Sequence, residues 1–334
     1  MMYKLILIPL ALMATMFASS CKTQSLDKMT TKEKNALLCD PETGACEMPT
    51  SENTLDSLID KSLTSTKVKL VYFTDPICSS CWGIEPQLRK LKLTYDDQLD
   101  IEYRMGGLLP DWSYNSGGIS KPSDVAHHWD EVSVYYDMPI DGDVWLEDPL
   151  NSSYPPSIAF KAAQFQDEKK AQIFLREIRE MVFLHKINIA KENNLLIAAE
   201  KTGLDKERFK TDLHSIAKEA FKEDLALART YGVRGFPSIY LVDNEGNKNL
   251  IYGTQPYAKY EALLEDKHPE LKANSYSKDW EALFTKFKSL TAREYAELSN
   301  QNRQEAEEEL VQLTKAKKLM QFTTKNGSIW SKHI

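Results

Sequence analysis

Cys78-Ser79-Ser80-Cys81 follows the apolar run Val68-Lys69-Leu70-Val71-Tyr72-Phe73 and precedes a segment with apolar residues at Ile84, Leu88 and Leu91. The first stretch reads as a strand and the last as a helix, with Pro86 predicting a kink near its start. A C-x-x-C pair at a strand-to-helix junction constrains both fold and chemistry. It puts Cys78 at a helix N-terminus, where unpaired backbone N–H groups and the helix dipole favour a thiolate. Cys81, one turn further on, is placed to resolve a mixed disulfide formed at Cys78.

The N-terminus reads as a targeting segment. Leu5 to Phe17 is an almost unbroken apolar run, short for a membrane span, and Ala18-Ser19-Ser20-Cys21 follows it. This resembles the lipobox of bacterial lipoproteins, with Ala18 where Leu is usual. It implies a signal peptide over 1–20 and a lipid on Cys21. The competing reading is an ordinary signal peptide or an uncleaved anchor. Either places the mature chain outside the cytoplasm, where disulfides persist, and the lipoprotein reading holds it in the cell envelope, facing the periplasm and tied to a lipid bilayer through Cys21. A cytoplasmic location follows only if this segment is not a signal. Five cysteines are an odd number for an exported chain. Setting Cys21 aside leaves two pairs, Cys78 with Cys81 and Cys39 with Cys46.

Residues 21–64 are polar and read as a tether with a short helix over Asn53–Ser62, and the turn-forming Asp-Pro and Thr-Gly between Cys39 and Cys46 bring those sulfurs together. Strands are predicted over 66–73 and 100–105, with a helix over 79–95 between them. Residues from about 110 to 230 are mostly helical. They include helices from Pro155-Pro156 with Ser152 or Ser153 as cap, over 168–185, over 195–202, and over 206–231 with a bend. Gly235–Val242 and Asn249–Gly253 form a hairpin about Asp243-Asn244-Glu245-Gly246, and 257–264 is a closing helix. This is an α/β thioredoxin fold over 65–270 with a large helical insertion. Beyond 275 three helices and a hairpin about Asn326-Gly327 outline a small winged-helix-like α+β module reaching 334.

Three stretches carry a family resemblance: Phe73-Thr-Asp-Pro-Ile-Cys78-Ser-Ser-Cys81-Trp82; Asp141 to Pro149 continuing through Ser153-Tyr154 to Lys161-Ala-Ala163; and Phe209 to Ser215 with Tyr231-Gly-Val-Arg-Gly-Phe236-Pro237. They resemble the DsbA-like thioredoxin-fold family, and within it the group that includes the SpxH (YjbH) and FrnE-like proteins. The resemblance implies that Cys78 is the nucleophile, Cys81 the resolving cysteine and Pro237 a cis-proline packed beside them. It also implies that the backbone of Phe236 stays open to pair with a client strand. Trp82, next to Cys81, is expected at the substrate surface. The partners implied are cysteine-containing clients and a redox partner that recycles the pair, with no organic cofactor. Two departures stand out. Tyr72 occupies the position where such enzymes often bury a carboxylate, leaving Asp75 and Glu85 as the nearest acids. The SpxH-type proteins are intracellular adapters delivering a client to the ClpXP protease, whereas this N-terminus predicts export.

Other features have plainer readings. Four cysteines suit tetrahedral zinc, but Cys39 and Cys46 are widely spaced for a knuckle, so zinc is the weaker expectation and no metal is assigned. Cys39–Cys46 reads equally as a structural disulfide or as a redox relay. His127-His128 reads as a surface helix face, and Trp112, Trp129 and Trp145 as core or as the lining of a substrate groove near the cysteines. The net charge of −7 and the absence of a basic cluster in the C-terminal module argue against nucleic acid. The leading functional expectation is a membrane-tethered thiol–disulfide oxidoreductase or isomerase acting on exported proteins. The alternative is a non-enzymatic SpxH-like adapter in the cytoplasm. A kappa-type glutathione transferase is disfavoured by the intact C-x-x-C. The Ser-Ser dipeptide leaves the direction of exchange open.

Overall fold

The computed structural model describes residues 39–40, 43–47, 67–113, 121–243 and 245–333, with Cys39 through its backbone alone. The signal segment, Cys21 and the helix expected over 53–62 lie outside the described residues. A small hairpin comes first, of β1 (Cys39–Asp40) and β2 (Ala45–Glu47), with Cys39 opposite Cys46. β3 (Val68–Thr74) is rich in β-branched and aromatic residues, and all of it except Lys69 is buried. Next come α1 (Ser79–Gly83) and α2 (Glu85–Tyr95), which break at Ile84 because Pro86 lies in the first turn of α2. β4 (Leu99–Met105) then alternates buried and more exposed residues and runs parallel to β3.

The insertion is helical, as expected: α3 (Pro122–Tyr136), α4 (Val144–Glu147), α5 (Tyr154–Gln164), α6 (Glu168–Phe183), α7 (Glu192–Lys201), α8 (Lys206–His214) and α9 (Ile216–Thr230). The expected bend falls at Ser215. Ser153 precedes α5 but makes no side-chain cap; its hydroxyl is engaged with Asp75 instead. The aromatic residues of this region pack on one another: Trp129 lies 4.7 Å from Phe183 and 5.2 Å from Trp145, ring centre to ring centre. His127 is exposed beside Glu131, whereas His128 is buried, and burial lowers its pKa to about 4.

The chain returns to the sheet through β5 (Gly235–Phe236), β6 (Ser238–Val242) and β7 (Lys248–Tyr252), then α10 (Tyr257–Lys267). The main sheet has the order β4-β3-β6-β7, with β6 antiparallel to both neighbours. A separate small sheet joins β1, β2 and β5. The C-terminal module contains α11 (Trp280–Lys286), β8 (Ser289–Thr291), α12 (Ala292–Ser299), α13 (Arg303–Lys315), β9 (Leu319–Thr324) and β10 (Gly327–Lys332). Its sheet order is β8-β10-β9. β8, like β1 and β2 in the segment read as a polar tether, was not expected as a strand: two or three residues are too few to show a period of two.

The module is fastened to the thioredoxin fold by buried charge. Glu294 is fully buried and pairs with Arg89 of α2 at 3.1 Å and with Arg176 of α6 at 2.8 Å. Arg89 also donates to the Ser289 carbonyl at 2.7 Å. At the hairpin tip, Asn326 donates to Asp130 and to the Ile140 carbonyl, both at 2.8 Å, and Lys325 pairs with Asp130 and Asp143.

Candidate functional site

The site is built where β3 ends. Asp75 folds the turn: its Oδ1 accepts the Ile77 N–H at 3.0 Å and its carbonyl accepts the Cys78 N–H at 3.2 Å. This brings Cys78 to the N-cap of α1, where its sulfur accepts the Cys81 N–H at 3.1 Å. An N–H aimed at sulfur favours the thiolate over the thiol. Cys78 and Cys81 are joined in a disulfide, with their Cα atoms 5.1 Å apart. Phe73 pairs with Ser238, so the Phe236–Pro237 bond, which is cis, lies at the same end of the sheet.

The Phe236 edge was expected to stand open for a client strand. It is instead filled by the chain's own β2, with Cys46 opposite Phe236 and Glu47 opposite Gly235 in antiparallel register. Cys46 is itself disulfide-bonded. Its sulfur lies 3.6 Å from Cys78 Sγ and 3.4 Å from Ser80 Oγ. Ser80 Oγ is in turn 2.6 Å from the Tyr136 hydroxyl, which burial pushes up to about 12. Cys46, Cys78, Cys81 and Phe236 are all buried.

Trp82 does not lie at this surface. It is wholly buried, donating from Nε1 to the Pro139 carbonyl at 3.1 Å, stacked on Phe183 at 5.5 Å, and covered by the Arg176 guanidinium 4.2 Å from its ring. Residues one apart on a helix point about 100° apart, so being adjacent to Cys81 turns Trp82 toward the core.

The two candidate acids separate cleanly. Glu85 is ringed by arginines. Burial opposes its ionisation, yet Arg179, Arg176 and Arg89 outweigh that and hold it below the usual carboxylate range. Asp75 is buried, and burial raises its pKa to about 6, against the lowering effect of N–H groups from Leu108 and Ile77 and of the Ser153 hydroxyl. Ser153 Oγ donates to Asp75 Oδ2 at 2.8 Å, and the Leu108 N–H donates to the same oxygen at 2.8 Å. Asp75 is therefore the acid near the cysteines whose charge changes most readily. Arg179, fully buried, links the two acids: it donates to Glu85 at 2.6 Å, to Thr74 Oγ1 at 2.6 Å and to the Asp75 carbonyl at 3.3 Å. Sequence spacing pointed to neither Arg179 nor Tyr136, because each comes from the insertion, far along the chain.

This arrangement is a disulfide at a strand-to-helix junction, with a third cysteine sulfur in contact and an acid of raised pKa in the turn. A family model described as "Thioredoxin" matches residues 72–262. The ClpXP adapter protein SpxH of Halalkalibacterium halodurans is 34% identical over 305 residues, covering 89% of this chain and 97% of that protein. SpxH of Bacillus subtilis is 32% identical over 268 residues, covering 79% and 88%. Among solved structures, one from Nitrosomonas europaea described as a candidate protein disulfide isomerase aligns with a TM-score of 0.54 and 22% identity. It covers 61% of this chain and 98% of that one, and it shows the shared fold.

Proposed function

This chain belongs to the thioredoxin-fold family of the SpxH adapter proteins, and on that premise we propose that it captures an extended, cysteine-containing segment of a client protein and presents it to a partner. The observation that carries this is the Gly235–Phe236 edge. It accepts an antiparallel strand and sets a cysteine of that strand against Cys78. A client strand entering in the same register would place its own cysteine there. The C-terminal module, fixed to α2 and α6 through Glu294, is then a candidate surface for the receiving partner. The relatives' name describes that partner as the ClpXP protease. The test is copurification of the tagged full chain with the cell's own ClpX. Recovery with the wild type and loss on deletion of 275–334 supports hand-over to a protease, whereas no ClpX in either sample removes it.

A second reading, a thiol–disulfide oxidoreductase or isomerase, is favoured by the Cys78–Cys81 disulfide itself. Here the captured cysteine is attacked by Cys78, Cys81 resolves the adduct, and a redox partner recycles the pair, with no organic cofactor. Location separates the two readings, since ClpXP works in the cytoplasm. A lipid on Cys21 would hold the chain at an envelope membrane; among the described residues, no helix is long and apolar enough to cross one. Metabolic labelling with a fatty acid decides the matter. Label that disappears in Cys21→Ala supports the exchange reading at the envelope and excludes ClpXP as partner. An unlabelled chain in the cytosolic fraction supports the adapter.

A further inference from the structure

We propose that Cys46, with Cys39 opposite it, forms a second exchange pair that passes electrons to and from Cys78–Cys81 within the chain, with β2 held in the client edge as a built-in substrate. This rests on the exchange chemistry of Cys78 described above. It extends that chemistry to a second pair within the same chain.

Contact comes first. Cys46 Sγ and Cys78 Sγ are 3.6 Å apart, the separation of sulfurs in van der Waals contact, and Cys46 is already one half of a disulfide. The register sets Cys39 directly across from Cys46. Docking of the hairpin is specific. The Gly44 carbonyl accepts from the Thr254 N–H at 2.9 Å and from Thr254 Oγ1 at 3.0 Å. Two glycines make room: a Cβ at Gly253 would sit 1.8 Å from the Thr43 carbonyl oxygen, and one at Gly235 would sit 2.5 Å from that of Cys46. Burial is shared by all three sulfurs. Cys78 and Cys81 are 0% exposed and Cys46 is 1% exposed, so the contact between Cys46 and Cys78 is shielded from competing thiols in solution.

The exchange balances within the chain. Once two external thiols have reduced the Cys39–Cys46 pair and left as their own disulfide, the Cys46 thiolate attacks Cys78 Sγ. The Cys46–Cys78 bond forms, the Cys78–Cys81 bond breaks, and the electron pair leaves on Cys81, which takes up a proton. The Cys39 thiolate then attacks Cys46, re-forming the Cys39–Cys46 disulfide and releasing Cys78 as a thiolate. Two electrons have moved from one pair to the other, and the reverse sequence returns them. The Ser80 hydroxyl, 3.4 Å from Cys46 Sγ, is placed to donate a hydrogen bond to that sulfur whenever it carries charge.

The test uses the full chain and needs no client, so its failure is distinct from failure of client capture. Cys39→Ser/Cys81→Ser leaves Cys46 facing Cys78, and Cys39→Ser/Cys78→Ser leaves Cys46 with Cys81. Both variants are equilibrated in glutathione buffers, quenched by alkylation and peptide-mapped, with circular dichroism confirming the fold. The expected result is a Cys46–Cys78 crosslink as the main species, forming about tenfold or more faster than Cys46–Cys81 because its sulfurs are already in contact. Equal rates, or Cys46 held only as a glutathione adduct, would overturn the proposal. A second measurement follows the rate at which reduced glutathione opens Cys78–Cys81. In Cys46→Ser the relay predicts a slower rate, whereas a hairpin that only covers the site predicts an unchanged or faster one.

Discussion

At the scale of single residues, Asp75 ties the chemistry to the fold. One of its oxygens shapes the turn that delivers Cys78, and the other holds Ser153 and the Leu108 N–H. Burial raises its pKa from 3.8 to about 6, so the folded state binds a proton more tightly than the unfolded chain. Its contribution to stability is therefore full below about pH 4 and is lost as pH rises through about 6. Asp75→Asn removes this titration. The difference in unfolding free energy between wild type and variant should shift by about 2 kcal/mol against the wild type from pH 4 to pH 7. Urea unfolding at the two pH values checks this, and a constant difference would show that Asp75 does not titrate in the fold. The Cys78–Cys81 pair was legible in the sequence because its spacing at a strand-to-helix junction is local, and the cis bond before Pro237 was expected from the family resemblance alone. The part played by Ser153 was not: its hydroxyl looked like a helix cap, and its partner lies 78 positions away. Trp82 was misplaced because adjacency along a helix does not fix the face.

At the scale of elements, two junctions hold the site in place. One is the β1–β2 hairpin on β5. Gly253→Ala would drive a Cβ into the Thr43 carbonyl and lift the hairpin while leaving the main sheet intact. Hydrogen exchange at residues 44–47 should then quicken about tenfold or more, with protection in β3 and β6 unchanged; equal exchange in both proteins would mean the docking is not selective. The other junction is α12 against α2 and α6. Glu294→Ala removes the fully buried carboxylate shared by Arg89 and Arg176, which keep Glu85 and, for Arg176, Glu180, and should cost about 3 kcal/mol in urea unfolding. The exposed Glu308→Ala should change stability by about 0.5 kcal/mol or less. Similar values for the two would show that the buried pairs contribute little. Sequence patterning captured the strand, kink and helix boundaries well, since Pro86 and the apolar spacings act locally. It missed β1, β2 and β8, which are too short to show a period, and it could not reveal that β2 pairs with β5, a match made across about 190 positions of chain.

At the scale of the whole molecule, the thioredoxin fold and the C-terminal module share ion pairs that run from Glu294 through Arg176 and Glu85 to Arg179 and Thr74 at the end of β3. The wing hairpin tip is spent on Asp130, Asp143 and the Ile140 carbonyl, and α13 carries glutamates at 305, 307, 308 and 309. That helix suits a protein partner rather than a phosphate backbone. The molecule thus places a strand-accepting edge and a buried disulfide in one domain, and the proposed function puts the surface for the receiving partner in the next. Both proposed readings require Cys78 to meet a cysteine borne on the strand at Phe236, and that encounter can be trapped. Its most direct test is Cys81→Ser in the full chain, expressed in its own cells, alkylated at lysis and mapped without reduction. The account predicts Cys78 in mixed disulfides, with Cys46 and with client cysteines, all lost when Cys78→Ser is added. Cys78 recovered only as a free thiol, with the same proteins bound whether or not it is present, would contradict it.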